Sequence, residues 1–118
     1  MQSQYNLLDR SIESELVPCC QAYGVGVIPW GPLAGGFLTG KYLPGKAAPS
    51  GTRLADPRSR SSQVLTEANF DKLDKLQAFA AKHGHSVGEL AIAWLLSHSW
   101  LSSVIAGATK PEQVAANV

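Results

Sequence analysis

The sequence predicts an α/β fold with parallel strands, and two observations carry that expectation. Strand, helix, strand, long loop, helix pair, strand and nascent helix follow one another along the chain, an order that calls for right-handed crossovers between parallel strands. The residues best suited to hold a ligand, around Trp30 and Thr109, come directly after strand-like segments, where a βα-barrel carries its binding loops. About three strands are present against the eight that close such a barrel. Pattern alone leaves a flat, doubly wound sheet as the alternative.

The 118 residues are the length of one domain, and with 45% hydrophobic side chains they can build a core. Ten basic against nine acidic side chains leave a formal net charge of +1. Bulk charge therefore gives no attraction to nucleic acid or to an acidic membrane surface. Gly, Pro or Ser interrupts the longest apolar runs well before the roughly 20 residues of a membrane span. No charged-then-apolar leader opens the chain, so a cytoplasmic protein is expected.

The two cysteines, Cys19 and Cys20, are adjacent, which is too close for an ordinary structural staple, and no metal-ligand spacing accompanies them. Free thiols of this kind behave mostly as small buried hydrophobes, so both are read as packing groups in preference to reactive ones. His83 and His85 flank Gly84 at an expected helix end, where a cation complements exposed carbonyls. That reading outweighs a metal cluster with His98.

From the start of the chain, residues 2–8 alternate Gln2, Gln4 and Asn6 with Ser3, Tyr5 and Leu7, the period of a strand whose polar set could face a ligand. Ser11 then offers an N-cap, with Glu13 and Glu15 in the first turn and Leu16, Cys19, Cys20 and Tyr23 at helical spacing. Pro18 suits a first turn only, which places the regular part near Val17. Val25, Val27 and Ile28 form a second strand, expected to stop near Pro29 because neither Pro29 nor Pro32 supplies a ladder N–H. Beyond it stand the flat aromatic surface of Trp30 and then Gly31, Gly35, Gly36 and Gly40, which let backbone approach a ligand closely.

Residues 41–63 are rich in Pro, Gly, Ser and Arg without an apolar period and read as a long loop. Arg53, Arg58 and Arg60 lie in it, and a solvated cluster is an equally good reading of the last two. Thr66 can cap a helix carrying Phe70, Leu73, Leu76, Phe79 and Ala80 on one face. Ser86-Val87-Gly88-Glu89 is a capping box ahead of a stripe of Leu90, Ala91, Trp94 and Leu95. Aromatic rings on such a stripe are usually core, so Trp94 and Trp100 are assigned to packing.

Val104, Ile105 and Ala106 make a last strand, and Gly107-Ala108-Thr109 leads into Pro111, a good first-turn residue. The unpaired N–H groups of that helix start suit an anion. Thr109 adds a hydroxyl, Lys110 a cation, and Gln113 and Asn117 amides. A plain capped surface helix explains the same residues, and this block alone favours it.

The stretch from Trp30 to Tyr42, Trp-Gly-Pro-Leu-Ala-Gly-Gly-Phe-Leu-Thr-Gly-Lys-Tyr, closely resembles the loop after the seventh strand of aldo-keto reductases. Gln2 to Arg10 resembles that family's sixth strand, and Ser103 to Gln113 its eighth strand and following helix. Three blocks in the right order frame nearly the whole chain. The resemblance implies that residues 1–118 are the C-terminal part of a (β/α)8 TIM barrel, incomplete, from the sixth strand to the start of the last helix. Open strand edges then favour self-association.

The resemblance also implies NADP(H) as cofactor and reversible hydride transfer to a small-molecule aldehyde or ketone. By the same correspondence Gln2 hydrogen-bonds the carboxamide and Trp30 stacks on the nicotinamide. Gly31, Pro32, Leu33 and Gly35 line the pyrophosphate path with Arg53. Gly107, Ala108, Thr109, Lys110, Gln113 and Asn117 hold the adenosine end and its 2′-phosphate. Two departures weaken phosphate selectivity: Gly31 stands where a serine is frequent, and Gly107 where many members carry a lysine. Lys110, one turn away, is the candidate replacement.

The family's acid–base group of Asp, Tyr, Lys and His belongs to earlier strands and has no counterpart in these residues. No catalytic residue and no metal site is assigned, and the chain alone is expected to be inactive. Some barrels of this family are auxiliary subunits of potassium channels, and the Gly-Ala-Thr-Lys-Pro-Glu-Gln block resembles theirs as well as an enzyme's. A non-catalytic nucleotide-binding or channel-regulatory module is therefore the second reading, and an unrelated partial α/β domain the third.

Overall fold

Two short parallel strands set the frame. Gln2–Gln4 (β1) and Ile28–Trp30 (β2) pair with Gln2 opposite Ile28, Ser3 opposite Pro29 and Gln4 opposite Trp30. The computed structural model describes residues 1–56 and 63–117, so Arg58 and Arg60 lie outside the described residues. The chain divides into one compact unit of residues 1–32 and 91–118 and a second of residues 33–90.

In the first unit β1 ends four residues earlier than the alternation of residues 2–8 suggests. The cause is Asn6, whose Oδ1 accepts the N–H groups of Leu8 at 2.9 Å and Asp9 at 3.0 Å and so turns the chain. Ser11 is not a helix cap; it donates through Oγ to Asp9 and opens a 3-10 turn, Ser11–Glu13. The regular helix, Leu16–Ala22 (α1), begins one residue before Val17 and keeps Pro18 in its first turn. Its buried residues are Val17 and Cys20, whereas Cys19 is exposed and Tyr23 is 81% exposed, so only one of the two thiols packs.

The second strand ends at Trp30, one residue past Pro29 and so near the stop expected from the sequence. β1 draws its bonds from the neighbouring residues: Ile28 N–H donates to Met1 O at 2.8 Å, and Tyr5 N–H to Trp30 O at 3.3 Å. Proline's missing donor is felt on the other side. There the expected strand 104–106 is reduced to isolated parallel bridges, Val27 with Leu101 and Trp30 with Ile105. Three steps on β2 face four on its neighbour, a bulge at the position where Pro29 has no N–H to offer. The Pro29 carbonyl still accepts from Ile105 N–H at 2.9 Å, which keeps the segment parallel.

Behind this sheet lies a core of Tyr5, Ile12, Val17, Cys20, Val27 and Leu95, against which Leu16, Trp94, Trp100, Leu101 and Val104 pack. Tyr5 is its centre, with ring centroids 5.2 Å from Trp94 and 5.3 Å from Trp100. Full burial of a side chain this size contributes about 2–3 kcal/mol. Both tryptophans are packing residues, Trp94 from the helix and Trp100 from the turn beyond it. Pro111–Ala116 (α4), with Pro111 in its first turn, closes the described chain.

The second unit is built on Glu67–Lys82 (α2), whose Thr66 cap accepts the Asn69 N–H at 3.3 Å. Phe70 and Leu73 are buried, but Phe79 is 54% exposed and lies on His83, with centroids 4.5 Å apart. His83 is the C-cap of α2 and bonds through Nδ1 to the Phe79 carbonyl at 2.8 Å, the capping role read from its place beside Gly84. Val87–Leu96 (α3) opens with the capping box: Ser86 N–H donates to Glu89, and Glu89 N–H donates to Ser86 Oγ at 3.2 Å. The 3-10 segments Ala34–Thr39, ahead of the long loop, and Arg53–Ala55, within it, bury Phe37, Leu38 and Leu54. Among the described residues no helix is long and apolar enough to cross a membrane.

Candidate functional site

Alternation along the paired strands divides their side chains between two faces. Tyr5, Val27 and Pro29 are buried on the helical side. Gln2, Gln4, Ile28 and Trp30 therefore share the opposite face, and Ile105 joins them through its bridge to Trp30. That face is open: Trp30 is 47% and Ile105 40% exposed. A flat indole and two amide side chains on one accessible surface are the groups needed to hold an aromatic amide by stacking and hydrogen bonds.

Trp30 ends β2 and is followed by Gly31 at φ +72°, a left-handed residue that a side chain would strain. A Cβ there would lie 3.8 Å from Gln4 Cγ, so backbone conformation rather than space selects glycine. The Gly31 carbonyl accepts from Asn6 Nδ2 at 2.9 Å. Sequence reasoning placed Asn6 in the polar set facing the ligand; the structure buries it under this turn instead.

Gly107, Ala108, Thr109 and Lys110 are exposed and run from the bridged Ile105 into α4. The Gln113 Oε1 atom accepts from Thr109 N–H at 2.7 Å, Thr109 Oγ1 at 3.1 Å and Lys110 N–H at 3.2 Å. Three donors thus converge on one oxygen. Asn117 is the C-cap of α4, and its N–H donates to Val114 O.

Trp30 and Thr109 leave the same end of neighbouring parallel segments. Four residue-to-residue steps from Ile105 to Thr109 reach at most about 14 Å, and one strand spacing adds about 5 Å. Leu33, Gly35 and Arg53 belong to the second unit. There Ala34, Gly35 and Gly36 adopt positive φ in succession, and Arg53 opens its 3-10 turn exposed to solvent. Lys41 is a residue that sequence reasoning passed over. It folds back on the glycine turn, where a Cβ on Gly36 would meet its Nζ at 2.9 Å, and its ammonium lies 5.4 Å from the Tyr42 ring centroid. The Gly40-Lys41 step directly after the glycine run was the available signal.

No tyrosine here is poised as an acid. The Tyr5 hydroxyl donates to Glu13, and burial, then that carboxylate, push its pKa upward. Tyr42 donates to Gly35 O at 3.4 Å, and Tyr23 is the exposed cap of α1. On the helical side, Glu13 takes a bidentate bond from Arg10 at 2.8 Å through both nitrogens. The Arg10 bond, then that of Tyr5, hold its carboxyl below the usual range. His98 donates through Nδ1 to Trp94 O at 2.8 Å and brings Nε2 to 3.2 Å from the Tyr5 hydroxyl. This cluster ties β1 to α3, away from the Trp30 face.

A family model described as the aldo/keto reductase family matches residues 1–118. The chain is 40% identical to a probable voltage-gated potassium channel subunit beta of Oryza sativa over 99% of its own length and 36% of that protein. It is equally 40% identical to the L-glyceraldehyde 3-phosphate reductase of Escherichia coli K12, over 99% of the chain and 35% of the relative. A solved glycerol dehydrogenase of Gluconobacter oxydans superposes with a TM-score of 0.75 at 31% identity, covering 97% of this chain and 34% of that one. The chain thus spans about a third of the length of the relatives it matches.

Proposed function

Because the chain belongs to the aldo/keto reductase family, we propose that it supplies the cofactor-binding part of an oxidoreductase that reduces aldehydes or ketones with NADP(H). The observation that supports this most is the shared end of neighbouring parallel segments, which carries the Trp30 indole and the anion-suited turn at Thr109. Trp30 stacks on the nicotinamide, Gln2 holds its carboxamide, and Gly31 and Pro32 keep the turn close to the ring. Thr109, Lys110 and Gln113 take phosphate oxygens at the other end, with Gly107, Ala108 and Asn117 around them.

When bound, the dinucleotide supplies the hydride. The residues of this chain orient and neutralise it; none is assigned the proton that completes an alcohol, so the chain alone is inactive. A non-catalytic nucleotide-binding or channel-regulatory module is the second reading, favoured by the identity to the rice channel subunit, which equals that to the reductase. In the parallel ladder Gln2 and Gln4 turn their backbone groups to the outer edge of β1, which supports self-association through that edge.

Titration with NADPH, read by tryptophan quenching and by an assay with an aromatic aldehyde, tests the reading. Saturable binding without turnover is expected. Absence of binding overturns the cofactor assignment, and turnover overturns the assignment of the acid elsewhere.

A further inference from the structure

Among the described residues of the first unit, Asn6 is the one buried polar side chain, 1% exposed, and each polar atom of that side chain is engaged. Its orientation is forced. Oδ1 receives the N–H groups of Leu8 and Asp9, so the opposite edge must be the amide, which donates to Gly31 O at 2.9 Å. That carbonyl belongs to the left-handed residue directly after Trp30, where the chain leaves β2. Further along, Pro32 is buried.

From this arrangement we infer that Asn6 is a positioning residue, which sets the orientation of the Trp30 indole by holding the Gly31 carbonyl. One amide does two separable jobs: its oxygen closes the turn after β1, and its nitrogen ties that turn to the end of β2. The consequence for ligand binding rests on the cofactor reading above, whereas the orientation of the ring does not. Asn6 itself touches no cofactor; it acts through Trp30.

Asn6→Asp separates the two jobs. Above its titration the introduced carboxylate still accepts from Leu8 and Asp9 but sets an oxygen against the Gly31 carbonyl. Protonation at acid pH returns a donor to that position and restores the shape of the amide. The chain is labelled with 5-fluorotryptophan, and its three 19F resonances are assigned with Trp30→Phe, Trp94→Phe and Trp100→Phe. At neutral pH, Asn6→Asp is expected to shift or broaden the Trp30 resonance, leave those of Trp94 and Trp100 in place, and return the Trp30 signal towards wild type as pH is lowered. An unmoved Trp30 resonance overturns the inference. So does movement of all three, since Trp94 and Trp100 pack on the adjacent Tyr5 and report on the core at large. NADPH binding in the same samples is expected to weaken about tenfold, the effect of losing one buried hydrogen bond. A wild-type chain that does not bind NADPH removes the cofactor reading but leaves the resonance test decisive, and equal binding in both chains overturns the link from ring orientation to the cofactor.

Discussion

Trp30 lies in parallel register beside Ile105, and the preceding carbonyl, that of Pro29, accepts the Ile105 N–H at 2.9 Å. This pairing keeps the loop after β2 and the turn before α4 at one end of the sheet.

At that turn Lys110 is the cation nearest the converging donors in sequence. Lys110→Met is expected to weaken NADPH about tenfold and leave NADH nearly unchanged, as loss of one charge-assisted phosphate contact implies. Parallel titrations with both nucleotides check it; equal loss for both removes the 2′-phosphate role.

The pH dependence of folding follows from Glu13 and Tyr5. Glu13 has its folded pKa depressed, first by Arg10, so its contribution is present above the ordinary carboxylate range and lost as acid carries pH through the lowered value. Tyr5 has its folded pKa raised, first by burial, so its contribution is full below the ordinary phenol value of about 10 and is lost as pH climbs beyond it. Urea midpoints measured across pH should fall at both extremes. Tyr5→Phe should remove the alkaline loss, and Glu13→Gln the greater part of the acid one.

The start of α3 gives a simpler energetic test. Ser86→Ala removes the acceptor for Glu89 N–H and should destabilise the fold by about 1 kcal/mol, seen as a lower urea midpoint with unchanged slope.

The outer edge of β1 predicts concentration-dependent association. Replacing Ser3 by proline leaves the Gln2 and Gln4 edge groups in place but removes a β1 donor to β2, whereas Gln4→Pro removes a donor from the free edge itself. Gel filtration should show Gln4→Pro lowering the apparent size at high concentration; an unchanged profile would argue against edge pairing.

Legibility varied with how local the determining interaction is. The capping box of α3 and the Thr66 cap of α2 were readable because their partners lie three residues away. The order of parallel segments was readable for the same reason, since crossovers follow from element order. Asn6 defeated its own alternation: its side chain bonds Leu8 and Asp9 locally but Gly31 across the sheet, a partner that periodicity cannot reveal. The strand stop near Pro29 is legible, but its effect on the neighbouring segment is not, because that depends on which neighbour faces the missing N–H. Of the candidate site, Trp30 and Thr109 came from the strand-then-glycine pattern, while Lys41 was missed because only its return over Gly36 gives it a role.

The most direct test of the account is an NMR titration of the 15N-labelled chain with NADPH. It predicts that the Trp30 indole N–H and the amides of Thr109 and Lys110 shift together along one binding curve, with Gln113 releasing its side chain from them. Shifts at only one of the two ends, or different affinities at each, would contradict a single dinucleotide lying across both.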